Sequence, residues 1–476
     1  MEIFHYIKKH SSFFIPILVG LIIWFMPQPE ALSPQGWHTL AIFIATIIAI
    51  ILKPLPIGAI AIISLSITTI THTLTIGQAL EYYSNDLIWL ILIAFFISRA
   101  FMKTQLGTRI AYHLVSLFGR SSLGLSYSFI MSEFLLAPAI PSITARTGGI
   151  IYPIATSLSS ALDSKPNHLS AKKLGSFLTL VCFQGSVITS AMFLTAMAAN
   201  PVVARLAGDT GINLTWTTWA IAGIVPGIIS LIFVPYLIYK IAPPEIKHLP
   251  DAKEFAKAKL QEMGPMKRQE WIMLFVFILL LVLWILGNKL GISSATTALL
   301  GVTILLLTKV LTFSDLLEEK SGWETFVWFG ALLTLAGYLN KFGVINYLSE
   351  HMSTAVEALN WPIALVLLAL IYFYTHYIFA SCMAHVTAMF SAFLSIAIIL
   401  GAPPYIAALI LAFFSNLFGG LTHYGIGSAP VLFGFGYVNL KEWWRVGLIV
   451  SFANILIWFF IGGFWWKILG FWDINL

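Results

Sequence analysis

The sequence predicts an all-α membrane protein, with about eleven transmembrane helices and two re-entrant hairpins arranged as inverted repeats. Three observations predict it. Of 476 residues, 59% are hydrophobic and only 10% charged, whereas a soluble domain carries about a quarter charged residues. Apolar windows long enough to cross a bilayer recur along the whole chain. Two longer apolar stretches hold polar residues at their centres, and their surroundings recur in the other half of the chain. A mean hydropathy of +0.90 makes lipid the solvent.

Windows of about 19 residues place spans near 12–28, 37–53, 55–73, 87–103, 178–199, 217–240, 270–287, 291–309, 323–340, 404–418 (continuing to about 437) and 446–467. The basic residues 1–10 run straight into the first span without a small-residue cleavage site, so this segment reads as a retained helix rather than a removed signal peptide. With no Arg/Ser-rich leader, the expected address is a bacterial cytoplasmic membrane. The stretches 122–160 and 362–400 are too long for one crossing, and their centres read PSITAR (141–146) and SCMAH (381–385). Each is expected to enter as a half-helix, turn at a polar tip buried in protein, and return to the same side.

The charges support this count. With the N-terminus inside, eleven crossings and two returning hairpins, twenty-one of the 26 Lys and Arg residues fall on the cytoplasmic side. Only Arg205, Lys289, Lys341 and Lys467 fall outside, and Arg146 remains within the membrane. That separation is what the positive-inside rule demands, and it puts the C-terminus outside. It also explains the net charge of +6 without a nucleic-acid partner. Cys182 and Cys382 lie in apolar stretches and read as packed thiols.

The expected organisation is an N-terminal helix (1–36), repeat 1 (37–240), a polar cytoplasmic connector (241–269) and repeat 2 (270–476). Repeat 1 holds a hairpin at about 122–160 and a broken helix at about 178–199. Repeat 2 holds a hairpin at about 362–400 and a broken helix at about 404–437. Residues 86–110 read like 325–346, with Trp89 matching Trp328 and Gly107 matching Gly343. The tips match as Ser142-x-x-Ala145-Arg146 and Ser381-x-x-Ala384-His385, and Ser190-Ala191 matches Ser428-Ala429. Five crossings per half make the copies point in opposite directions. Inverted repeats with helices broken at the midplane mark secondary transporters, with the site where hairpin tips meet the breaks.

The breaks are expected at 182–191 (CFQGSVITSA) and 416–430 (NLFGGLTHYGIGSAP), where glycines and Pro430 weaken the helix and hydroxyls gather. Opened half-helix N-termini offer unpaired N–H groups and a positive dipole end, which suits a carboxylate. The candidate substrate-binding residues are Ser142, Thr144, Ser190, Ser381, Thr422, His423, Ser428 and Pro430. Ser and Thr in membranes also bond their own backbone, so these hydroxyls do not all reach a ligand. Arg146 is the one Lys or Arg at the bilayer centre. It either faces the site as a compensating charge or is buried in an ion pair with Glu133. His385, at the equivalent tip, is either a second compensating group or a neutral packing histidine. His423 either donates to substrate or spaces its loop, and His376 reads as core packing.

No Gly-Lys-Thr phosphate loop, zinc-spaced Cys/His set or nucleophile elbow is present, so ATP drive, a metal centre and an enzyme are not expected. No cofactor is expected either.

The tip 142–147 (SITART), the stretch 184–200 (QGSVITSAMFLTAMAAN) and 421–430 (LTHYGIGSAP) resemble the divalent anion/sodium symporter family, over essentially the whole chain. More narrowly, they resemble its bacterial citrate/succinate antiporters and plastid 2-oxoglutarate/malate translocators. The resemblance implies an elevator mechanism in a homodimer, with the early helices of each half as scaffold. The hairpins, broken helices and last helix of each half would then be the moving part. It also implies di- or tricarboxylate substrates of four to six carbons, such as 2-oxoglutarate, malate, succinate or citrate. Sodium-coupled members of the family carry Ser-Asn-Thr at both tips. Here Ser142-Ile143-Thr144 and Ser381-Cys382-Met383 lack the Asn. The expectation is therefore sodium-independent antiport, in which Arg146 and His385 stand in for coupling cations. Sodium- or proton-coupled symport on the same fold is the alternative, and a channel or membrane enzyme is the remaining one.

Overall fold

The structure, a computed structural model, describes residues 2–353 and 360–473. The C-terminus, expected outside, lies beyond these residues. The described residues are helical throughout, with one isolated antiparallel bridge between Ser121 and His248. Among the described residues, eight helices are long and apolar enough to cross a membrane, and two of these, Trp361–Ile378 and Cys382–Ile399, are the arms of the second expected hairpin. Each of the eleven expected spans coincides with a helix. Four of them, Ser12–Phe25, Ile57–Ile70, Ser294–Leu307 and Pro404–Gly420, are shorter.

The two halves repeat one another element by element. Ile76 and Phe313 begin equivalent short helices, as do Leu106 and Val344, Ser122 and Trp361, and Thr144 and Cys382; each pair lies 237–239 residues apart. Local chemistry sets these boundaries. Ser121 accepts from the Gly124 N–H at 3.0 Å and Asn85 from the Leu87 N–H at 2.9 Å, satisfying donors that a helix start leaves free. Helices end at residues in the left-handed conformation, including Lys53, Gln105 and Gly291.

The Asp86–Thr104 and Lys320–Lys341 helices lie antiparallel and are clamped at both ends. At one end Glu81 takes the Lys341 ammonium at 2.7 Å and the Tyr338 hydroxyl at 2.5 Å. At the other, Lys103 meets Asp315 and Arg99 meets Glu318, each at 2.6 Å. Gly330 admits the ring of Tyr83 and Gly337 that of Tyr82; a Cβ on Gly337 would collide with the Tyr82 hydroxyl.

Burial grades across the bundle. Every residue of Gly175–Met192 is buried, whereas Arg268–Leu290 presents Trp271, Phe275, Ile278 and Ile285 outward, as a lipid-facing helix does. The connector helix Pro250–Met263 packs on Leu106–Phe118. Arg109 secures it by pairing with Glu270 at 2.5 Å and donating to the Gly264 carbonyl at 2.9 Å.

Candidate functional site

Each hairpin presents a helix N-terminus at its tip. Ser122–Leu136 runs in, the chain turns, and a helix returns from Thr144 to Ala161, wider than an α-helix over Thr144–Ile151. In the second half Trp361–Tyr374 runs in and Cys382–Ile399 returns. Ser142 accepts from the Ala145 N–H at 3.2 Å, and Ser381 from the Ala384 N–H at 3.4 Å. Both tip serines are therefore helix caps, as their matched positions imply.

The buried helices open beside these tips. The second opens over 421–427, within the expected segment. The first does not open at 182–191: Gly175–Met192 is continuous, and the break lies at 193–198. Gly185 does not interrupt this helix; the room made by its missing side chain is taken by Ile130, whose Cγ1 would lie 2.9 Å from an added Cβ. This also corrects the match of Ser190 with Ser428, since Ser190 precedes its break and Ser428 follows its own.

Asparagines and a glutamine join the two opened regions. Asn200 donates to the carbonyls of Ser190 and Phe193 at 2.8 and 2.9 Å, holding the first break. Asn416 donates to Asn200 at 2.8 Å, and Gln184 donates to the Gly420 carbonyl at 2.9 Å. The Cys382 N–H donates to the Gly425 carbonyl at 3.1 Å, tying the second tip to the second break.

Both tips line one cavity of about 340 Å³. Ser142, Thr144, Ser381 and Pro430 sit on its wall, together with Met197–Ala199 at the end of the first break and Gly427 at the end of the second. Lys53, Phe95 and Trp328, from the early helices of each half, also line it. Sequence reasoning missed Lys53 and Phe95 as site residues. Trp328 had a signal, its repeat match with Trp89, whereas Lys53 read as one more charge in a basic loop.

The other expected site residues lie behind this wall. Arg146 is fully buried, and its fork is filled from within. Its Nε donates to Glu133 at 2.5 Å, and Nη1 to the carbonyls of Ile140 and Ala196 at 2.5 and 3.1 Å. Nη2 points to the hydroxyls of Thr189 and Ser190 at 3.5 and 3.4 Å. Glu133 spends its other oxygen on the Thr147 hydroxyl at 2.5 Å. The expectation of an Arg146 charge facing cargo is thus corrected for this conformation. A guanidinium in low dielectric requires a counter-charge, and Glu133 already supplies it.

His385 is likewise buried, stacked on Phe379 and Phe418 with centroids 4.5 Å away. Its Nδ1 lies 3.0 Å from Nδ1 of His376, whose Nε2 lies 3.1 Å from the Gly425 carbonyl. A carbonyl only accepts, so His376 carries its proton on Nε2. In the neutral pair, His376 Nδ1 then accepts and His385 Nδ1 donates. His376, read from sequence as packing, is a second link between the second tip and the second break. His423 accepts from the Trp444 indole N–H at 3.2 Å and lies off the cavity wall. Thr422 within the second break and Ser428 just after it are buried, and their hydroxyls find no partner among the described residues.

Two hairpin tips and two interrupted helices gathered around one cavity define a multi-pass membrane transporter. The comparisons with known proteins agree. The family model for the sodium:sulfate symporter transmembrane region matches residues 7–472. A relative described as putative malate transporter YflS of Bacillus subtilis is 54% identical over 459 residues, covering 96% of each chain. Dicarboxylate transporter 1, chloroplastic, of Spinacia oleracea is 52% identical, covering 96% of this chain and 81% of its own. Among solved structures, the Alcanivorax borkumensis YdaH transporter superposes with a TM-score of 0.56 at 13% identity, covering 85% of this chain and 89% of its own. That last likeness bears on the fold alone. The chain belongs to the divalent anion/sodium symporter family, and it is a transporter rather than an enzyme.

Proposed function

We propose that this transporter exchanges small dicarboxylates, malate and its neighbours in size and charge, through the cavity between the two hairpin tips, without sodium. The observation that carries the reading is the convergence of two serine-capped helix N-termini on one cavity. Each N-terminus is worth roughly half a positive charge, so the pair suits two carboxylates better than one. The names of the relatives, a malate transporter and a plastid dicarboxylate transporter, support the same class of substrate.

The surroundings of Arg146 support sodium independence. Two carbonyls and two hydroxyls converge on its guanidinium, an oxygen set of the kind that a hard cation takes. The chain fills that set with a tethered group that cannot leave. Arg146 then replaces a cation structurally, bracing the first hairpin to the first break, while Glu133 cancels its charge. Exchange follows from the tips. An unladen cavity leaves two positive helix ends facing apolar surroundings, which is costly in low dielectric; a bound dianion relieves it. Return without cargo is the slow step.

The reading includes an elevator motion of the hairpins and broken helices in a homodimer, as the family resemblance implies, with the N-terminus inside. The ion pairs are consistent with that sidedness. Arg99, Lys103, Asp315 and Glu318 gather at the end assigned to the cytoplasm, while Arg205, Lys341 and Glu81 gather around Tyr82 at the other. The test is a counterflow panel: proteoliposomes preloaded with malate, succinate, 2-oxoglutarate, citrate or a monocarboxylate, with labelled malate outside. Dicarboxylates inside should accelerate uptake and the monocarboxylate should not. Equal stimulation by the monocarboxylate would reject the reading.

A further inference from the structure

We infer that Lys53 is the cation that meets a carboxylate of the cargo, and that it does so in the conformation opening to one face of the membrane only. The inference rests on the dicarboxylate reading and adds a residue and an asymmetry to it. Arg146 is neutralised by Glu133 behind the cavity wall, so the wall itself must be searched for charge. Among the residues lining the cavity, Lys53 is the one that carries a charge, and no Asp or Glu lines it. Lys53 is exposed, and its ammonium makes no hydrogen bond or ion pair among the described residues. An unpaired ammonium on a wall shared with two positive helix ends has one fitting partner, an anion inside the cavity.

The backbone fixes where this charge sits. Lys53 ends the Pro34–Leu52 helix in the left-handed conformation, at φ 52°, its N–H donating to the Ala49 carbonyl at 2.8 Å. Pro54 and Pro56 follow and stiffen the turn. The inverted repeat supplies the comparison. The equivalent helix Arg268–Leu290 ends in the same conformation at Gly291, φ 66°, 238 residues later. Glycine adopts this conformation without steric cost, whereas a lysine does not. Lys309 shares the conformation elsewhere, so strain alone marks no site; the position on the cavity wall does. In an inverted repeat, the turn at Gly291 plays on the opposite face the part that Lys53 plays here, and it carries no side chain. The cation is therefore one-sided, and it belongs to the early helices of repeat 1 rather than to the hairpins.

The test uses the full chain in oriented proteoliposomes, with malate titrated separately at each face. Lys53→Gln should raise the half-saturating concentration roughly tenfold at one face, the magnitude of losing one charged hydrogen bond. The opposite face should change by less than about twofold, and Lys53→Arg should retain most of the affinity at both. Lys53→Asn, which adopts the left-handed conformation more readily, provides a second charge-free variant should the glutamine variant fold poorly. Equal weakening at both faces, or no weakening at either, in a folded charge-free variant would overturn the inference while leaving dicarboxylate exchange standing. Wild-type protein that does not exchange malate would overturn both.

Discussion

Arg146 and Glu133, thirteen residues apart in one hairpin, form a wholly buried ion pair with Nε 2.5 Å from the carboxylate. The pair faces away from the cavity and toward the first break, where the guanidinium also holds the carbonyls of Ile140 and Ala196. It joins the return arm of the hairpin to its entry arm and to the opened helix.

Removing one partner of such a pair strands the other in low dielectric. Arg146→Ala is expected to cost about 3–5 kcal/mol of stability, read as a fall in the melting temperature of detergent-purified protein. The emptied position would retain Glu133 and a ring of carbonyl and hydroxyl oxygens. Sodium should then raise the melting temperature of Arg146→Ala and leave wild type unchanged. An equal sodium effect on both proteins would contradict the structural role assigned to the guanidinium.

His376 is expected to matter more than a core histidine would. Its Nε2 serves the Gly425 carbonyl, and its ring stacks on Phe418 with centroids 3.9 Å apart. His376→Ala removes the donor and opens a void, for about 2–4 kcal/mol in total. His376→Gln, which keeps an amide donor, should recover part of it. Thermal melts of the two variants check this, and equal losses would deny the hydrogen bond its part.

Gly447 lies against the second opened segment. A Cβ there would stand 2.6 Å from the Gly420 carbonyl oxygen and 2.8 Å from that of Leu421. Backbone cannot yield as a side-chain tip does, so Gly447→Ala should cost about 1–3 kcal/mol and slow exchange by displacing the break. A variant with wild-type melting and exchange would show that the segment has slack.

Asp315 gives a pH dependence at the end of the bundle where Lys103 and Arg99 gather. Partial burial pushes its carboxyl upward, but Lys103 and the N–H and hydroxyl of Thr312 outweigh this and hold it at about 2, below the ordinary 3.8. The clamp between the Phe313–Leu317 and Asp86–Thr104 helices is therefore fully present above about pH 4 and is lost as the pH falls through about 2. Asp315→Asn should remove roughly 1 kcal/mol at neutral pH and abolish this acid dependence. Melting curves of both proteins between pH 2 and pH 6, run in parallel, test it.

Much of this architecture was legible in the sequence because lipid imposes simple rules. Apolar windows placed eleven spans, each of which falls on a helix, and the polar centres at 141–146 and 381–385 marked both tips. What the sequence obscured depends on which way a side chain points. Arg146 was visible as a charge in the membrane, but its direction is fixed by Glu133 and by carbonyls of a distant break. The first break was misplaced because Gly185 and nearby hydroxyls imitate an opening, whereas the chain opens after Met192 and is held there by Asn200. Lys53 looked like one more charge in a positive inner loop, and only the folded chain carries it to the cavity wall.

The central claim is that two positive helix ends need cargo in order to cross, which makes transport an exchange, and that a tethered guanidinium takes the position of a coupling cation, so sodium plays no part. Uptake of labelled malate into proteoliposomes tests it most directly, with and without internal dicarboxylate and with sodium replaced by choline. Uptake that requires internal dicarboxylate and is indifferent to sodium is the expected result. Sodium-dependent accumulation in empty vesicles would contradict it.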